Sequence, residues 1–134
     1  MNILVIDGQG GGLGRQLVSA IKNALPAAEI MAVGTNSMAT GAMLKAGADH
    51  AATGENAVIV ACRKADVIVG PIGIVIADAL LGEISPAMAA AVGQSGAKRV
   101  MIPVNHCDNI VVGVADTTVS ALVQQAVERV CQMA

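Results

Sequence analysis

Near its amino end the chain reads Ile3-Leu4-Val5-Ile6-Asp7-Gly8-Gln9-Gly10-Gly11-Gly12-Leu13-Gly14-Arg15, an apolar run that passes through five glycines in seven residues. The β-branched and leucine residues at 3–6 predict a parallel strand buried on both faces. Beyond the glycines, Leu17, Ile21 and Leu25 recur every fourth residue with Arg15, Gln16, Ser19, Lys22 and Asn23 between them, which predicts an amphipathic helix. A glycine turn from strand into helix leaves bare amides at a helix N-terminus. The macrodipole there favours anions, and the missing Cβ atoms let a phosphate approach closely. Gly8, Gly12 and Gly14 stand at GxxxGxG spacing, a variant of the dinucleotide turn. Asp7, Gly8, Gln9, Gly10, Gly11, Gly12, Leu13 and Gly14 are therefore candidate cofactor-binding residues. A turn kept tight for packing alone is the competing reading.

The strand and helix signals go on alternating through all 134 residues without a linker or repeat, which predicts a single domain over 1–134. Pro26 ends the first helix. Glu29–Val33 reads as strand two, and Thr35, Asn36 or Ser37 caps a short helix that Gly47 terminates. His50–Thr53 reads as strand three, 57–64 as a helix and Asp66–Val69 as strand four. After Gly70-Pro71-Ile72-Gly73 a hydrophobic helix is expected to about Leu81. Gly82 breaks it, and Ser85-Pro86 restarts a segment to Gln94. Arg99–Val104 reads as strand five. Asp108-Asn109 suggests a tight turn into an antiparallel sixth strand over Ile110–Val114 at the sheet edge. Asp116-Thr117-Thr118 then caps a last helix.

Strands separated by helices imply an α/β fold, a doubly wound, mostly parallel sheet with helices on both faces. The glycine turn favours the Rossmann-like order 3-2-1-4-5 with the antiparallel edge strand added; the flavodoxin-like order 2-1-3-4-5 is the alternative. Either order puts ligands at the carboxyl ends of the strands, beside strand one.

Composition narrows the function classes. The chain contains no Phe, Tyr or Trp, so it offers neither a catalytic tyrosine nor a ring to stack on a flavin or on single-stranded nucleic acid. Eight basic residues against ten acidic ones give a charge of −2, without the basic footprint of a nucleic-acid binder. No apolar stretch approaches the roughly 18 residues of a membrane span, and the start lacks a positively charged leader. Cys62, Cys107 and Cys131 fit neither a disulfide framework nor a zinc site, so a reducing cytoplasm is the expected location. Charged residues make up only 13% of the chain, too few to cover every helix face, so a homodimer or tetramer is expected. The charge-poor residues 74–93 are its expected interface.

Four motifs, Ile6-Asp7-Gly8-Gln9-Gly10-Gly11-Gly12, Gly34-Thr35-Asn36, Ala52-Thr53-Gly54-Glu55-Asn56 and Gly70-Pro71-Ile72-Gly73-Ile74, carry a resemblance over nearly the whole chain. The chain resembles a family of small bacterial Rossmann-like proteins catalogued only as a domain of unknown function. That resemblance implies no activity. The glycine turn is also similar to that of short-chain dehydrogenases. Their chemistry needs a tyrosine, which this chain lacks, and Asp7 stands where they tend to have threonine, so the mechanism does not transfer.

The remaining candidates sit after the other strands. Thr35, Asn36 and Ser37 are neutral where a dinucleotide fold tends to have a ribose-binding acid. This removes repulsion against a 2′-phosphate and favours NADP over NAD, although no arginine follows to bind one. A polar cap for the next helix is the alternative. Asp7 either braces the loop amides or meets a nucleotide phosphate through Mg²⁺. Gly70, Pro71, Ile72 and Gly73 suit a wall for a flat ring, or equally a tight entry into a helix. Glu55 and Asn56 are placed to reach an adenine or to cap their helix. A P-loop reading fails on Arg15 and Gln16, where lysine and a hydroxyl are needed. If there is chemistry, Asn105, His106 and Cys107 carry it, because they gather an amide, an imidazole and a thiol after strand five; a hairpin turn with a packed thiol is the alternative. His50 belongs at the opposite end of the sheet.

Three functions fit: an oligomeric nucleotide-binding module that senses or assembles, a small oxidoreductase or other nucleotide-dependent enzyme, and a structural protein without a ligand.

Overall fold

A computed structural model describes residues 1–104 and 108–134. Five strands, β1 (Asn2–Asp7), β2 (Glu29–Gly34), β3 (His50–Thr53), β4 (Val67–Pro71) and β5 (Lys98–Ile102), form one sheet in the order β3-β2-β1-β4-β5. Every pairing is parallel, with Val5 opposite Ala32 on one side and Val69 on the other. This is the Rossmann-like order; the flavodoxin-like alternative is excluded.

Alternation along the strands divides the core. Ile3 and Val5 face α1 (Gly12–Ala24), α2 (Ser37–Lys45) and α5 (Val119–Cys131), where Leu17, Val18, Ile21, Met43, Val127 and Val130 cover them. Leu4 and Ile6 face α3 (Glu55–Cys62) and α4 (Pro86–Gln94), and are covered by Val58, Met88 and Val92. Each such fully buried aliphatic side chain contributes about 1.5–3 kcal/mol, so a core without aromatics suffices. Three helix starts follow the sequence: Asn36, Ser85 and Thr118 accept from the amides of Ala39, Met88 and Ala121.

Two expected elements are not formed. Ile110–Val114 is not a strand, so no antiparallel edge is added among the described residues. Gly113 at φ +87° puts a turn inside the segment. Val111 and Val114 lie beside Val104 and the start of α5, while Ile110 and Val112 are 90% and 92% exposed. The segment has β-propensity but does not pair with the edge strand β5.

The hydrophobic helix expected to about Leu81 is instead a 3-10 turn, Ile72–Val75, followed by an irregular loop over 76–84. Asp78, Leu80, Leu81 and Gly82 take φ of +67°, +56°, +57° and +91°, which no right-handed helix accommodates. The loop closes on itself instead, with Asp78 N donating to Ile84 O at 2.7 Å and Ile84 N to Ala79 O at 3.1 Å. Ile74, Ala79, Leu80, Ile84, Met88, Ala89 and Val92 are buried within the chain itself. Those seven apolar positions of the charge-poor segment are covered by the chain's own core, while Ala77, Leu81, Ala87 and Ala90 among its other residues are exposed.

Candidate functional site

Strand order reverses at β1, whose neighbours β2 and β4 lead to opposite edges of the sheet. The crevice at the carboxyl ends of β1 and β4 is where ligands of such sheets bind. A cavity of about 200 Å³ lies there, lined by Asp7, Gly8, Gln9, Gly10, Gly11, Gly12, Leu13, Pro71, Leu80 and Val104. Another hollow, of about 440 Å³, is lined by Asn2, Glu29 and His50, which begin their strands, and by apolar residues such as Met31 and Val60. It lies towards the amino ends, away from the glycine turn, and Lys64 also lines it. His50 pairs there with Glu29 at 2.9 Å, at the end of the sheet expected for it.

The glycines of the turn fall into two groups. A Cβ on Gly8 would lie 2.7 Å from Thr35 Oγ1, one on Gly11 2.8 Å from Ala39 Cα, and one on Gly14 2.6 Å from Met43 Sδ. These three are buried and serve packing. Gly10 and Gly12 are exposed, and a Cβ on either would meet nothing within 4 Å. Packing therefore explains three of the glycines and leaves two unexplained.

The backbone around those two is a tight turn into the start of α1. Gln9 and Gly11 take φ of +52° and +73°, and the Gly11 amide closes the turn on Gly8 O at 3.0 Å. No side chain caps α1 and no acid stands in its first turn. Among the described residues, no protein acceptor meets the amides of Gly10, Gly12 or Leu13, and no carboxylate pairs with Arg15.

Asp7 braces the turn. Its Oδ1 accepts from Gly8 N at 2.8 Å and its Oδ2 from Gly14 N at 2.6 Å, which ties the end of β1 to the first turn of α1. Burial raises its pKa above the usual carboxylate value, with the Glu83 charge adding to the rise, while the two amides oppose it. Both oxygens are thus occupied by main chain, and no group of three His, Cys, Asp or Glu able to hold a metal is found among the described residues.

A residue that sequence reasoning did not place at the site, Glu83, stands beside it on the β2 side, bonded to the cavity-lining Gln9. Its Oε1 accepts from Thr35 Oγ1 at 2.5 Å, Asn36 Nδ2 at 2.8 Å and Gln9 N at 2.9 Å. Burial works against its ionisation, but the bonds from Thr35, Gln9 and Asn36 outweigh that and hold its pKa below the usual value. The only available signal was an isolated acid after Gly82 in an otherwise apolar stretch.

The other expectations separate in the same way. Asn36 caps α2 through Oδ1 and also donates to Gln9 O, Thr35 is engaged by Glu83, and Ser37 is an exposed first residue of α2. Of 70–73, Pro71 lines the cavity. A Cβ on Gly70 would lie 2.5 Å from Ile6 O and one on Gly73 3.3 Å from Ala79 Cβ, so these two are packing glycines. Glu55 accepts from Ser85 Oγ at 2.5 Å, joining the starts of α3 and α4 rather than facing the cavity. Asn105, His106 and Cys107 lie outside the described residues, although Val104, just before them, lines the cavity. Cys62 is buried, which pushes its thiol pKa up. Among the described residues no helix is long and apolar enough to cross a membrane.

No curated protein matches the chain. Among solved structures, a dodecameric FMN-dependent Ubix-like decarboxylase from Escherichia coli O157:H7 is 21% identical, over 96% of this chain and 75% of that chain, with a TM-score of 0.46. That is too loose a likeness to bear on ligand or assembly. The family model described as Domain of unknown function (DUF3842) matches residues 2–134, and the chain belongs to that family.

Proposed function

We propose that this DUF3842 member is a nucleotide-binding module whose glycine turn holds a phosphate group through the amides of Gly10, Gly12 and Leu13. The observation that carries the reading is the split among the glycines: Gly10 and Gly12 have open space where side chains would stand, beside uncommitted amides at the uncapped end of α1. A purely structural turn requires Gly8, Gly11 and Gly14 but gives no reason for the other two. The cavity of about 200 Å³ is smaller than the roughly 300–1,000 Å³ that encloses a whole ligand, so it suits the phosphate while the nucleoside lies along the strand ends. Its one ionisable side chain among the described residues, Asp7, is committed to bracing, which favours sensing or assembly over catalysis. For the same reason Mg²⁺ forms no part of the proposal.

Without Trp or Tyr the polypeptide absorbs almost nothing near 280 nm. A band near 260 nm in nucleic-acid-free protein therefore reports a bound nucleotide. Neither such a band nor a thermal shift with NAD, NADP, ATP or ADP would leave the proposal without support, and it would be abandoned. The homo-oligomer expected from the sparse charge belongs to the same proposal. A monomer mass by light scattering at micromolar concentration overturns that part.

A further inference from the structure

We propose that Glu83 is a specificity residue of this site: its carboxylate accepts a hydrogen bond from a free hydroxyl of the nucleotide's ribose and excludes a 2′-phosphate. The inference rests on the nucleotide reading above. Dinucleotide-binding sheets supply a ribose-binding acid from the end of the second strand. Here that position offers only Thr35, Asn36 and Ser37, which by themselves would tolerate a 2′-phosphate. The fold delivers a carboxylate to the same place from a different element, the loop after β4. Glu83 lies 48 residues from Thr35 and 74 from Gln9 in sequence, yet is hydrogen-bonded to both.

Two consequences follow from the bonding. First, of the side-chain donors that position offers a 2′-phosphate, those of Thr35 and Asn36 are already used, which leaves the exposed Ser37 hydroxyl. The Thr35 hydroxyl and the Gln9 amide donate to Glu83 Oε1, and the Asn36 carboxamide donates to Glu83 Oε1 and Gln9 O. A phosphate would meet an ionised carboxylate with no cation between them. Second, all three bonds fall on Oε1. Among the described residues nothing donates to Oε2, which keeps its lone pairs for a hydroxyl donor. Gln9 belongs both to the phosphate turn and to this cluster, so the phosphate and ribose subsites share a wall.

Calorimetric titration with NAD and NADP, which differ only in the 2′-phosphate, tests the assignment, and ATP against 2′-deoxy-ATP tests the hydroxyl. Wild type is expected to bind NAD at least about tenfold more tightly than NADP, since an uncompensated like charge in the site is a strong rejecting element. Glu83→Gln keeps an oxygen for Gln9, Thr35 and Asn36 but loses the charge, and should narrow that ratio severalfold by improving NADP. A role confined to holding the loop would lower both affinities together and leave the ratio alone. Equal binding of NAD and NADP by wild type, or an unchanged ratio in Glu83→Gln, overturns the proposal while the nucleotide reading stands. If Glu83→Gln does not fold, the two wild-type ligand pairs still decide it. Binding of none of the four ligands removes the nucleotide reading and this proposal with it.

Discussion

The Gly14 amide donates to Asp7 Oδ2 at 2.6 Å, so the last residue of β1 is fastened to the first turn of α1 across the glycine turn. The Gly8 amide takes the other oxygen. Asp7→Asn offers one acceptor and one donor where two acceptors are needed, and one buried amide must then face an N–H. A loss of about 1–3 kcal/mol in urea denaturation is expected. The pH dependence has a definite sign. Burial raises the Asp7 pKa in the folded state, so its contribution is fully present below the usual value of 3.8 and is lost as pH rises through the raised one. The stability gap between wild type and Asp7→Asn should therefore be widest in acid and narrow with rising pH. A gap that widens instead would mean that the two amides outweigh burial.

The division of the glycines predicts two kinds of variant. Gly14→Ala places a Cβ against Met43 Sδ and the Asp7 side chain, and should destabilise by about 1–3 kcal/mol, the usual range for overpacking. Gly12→Ala meets open space at a helical position and should leave the melting temperature unchanged or slightly raised. Yet Gly12→Val should abolish nucleotide binding by standing where the phosphate approaches. Circular dichroism melts beside ligand titrations separate the two kinds. A Gly12→Val protein that binds as wild type does would return the turn to a packing role.

Glu83 behaves oppositely to Asp7 with pH. Its folded-state pKa is lowered, so its contribution is present above the usual value of 4.5 and is lost as pH falls through the lowered one. Hydrogen exchange of the Gln9 amide, which donates to Glu83, should accelerate relative to the β1 amides as pH falls through that window, after correction for intrinsic rates. Glu83→Ala should show the acceleration at neutral pH. Its global cost should be modest, about 1 kcal/mol, because the cluster is partly exposed and water can replace the lost acceptor. A Gln9 amide equally protected in both proteins would show that Glu83 does not close the loop.

Why Asp7 and the glycine turn were legible in the sequence, and Glu83 was not, follows from the range of the forces involved. The turn is local: residues 3–25 contain the strand, the bare amides and the amphipathic helix, and a strand that ends in such a turn belongs at the centre of the order 3-2-1-4-5. Asn36, Ser85 and Thr118 were likewise readable, since a cap bonds an amide three residues ahead. Glu83 chooses partners far along the chain, and nothing in its neighbours names Thr35 or Gln9. Residues 74–81 are apolar nearly throughout, which gives burial but no period, so helix and irregular loop read alike. Ile110–Val114 shows the converse, a strand-like composition that the described sheet does not pair.

Leu81 supplies the last prediction. It is 96% exposed and held at φ +57°, next to Leu80 at +56°, in the loop whose Leu80 lines the cavity and whose Glu83 bonds the turn. A leucine in the left-handed region costs about 1–2 kcal/mol, and at that exposure little packing offsets it. Leu81→Asn, which tolerates the same backbone through local side-chain hydrogen bonding, should raise stability by about 0.5–1 kcal/mol in urea denaturation. Strain of this kind clusters at functional sites, so the same variant is expected to weaken ligand binding or self-association, read by titration and light scattering. If Leu81→Asn gains stability and changes neither, the strain serves only to close the loop, and Leu81 has no functional contact.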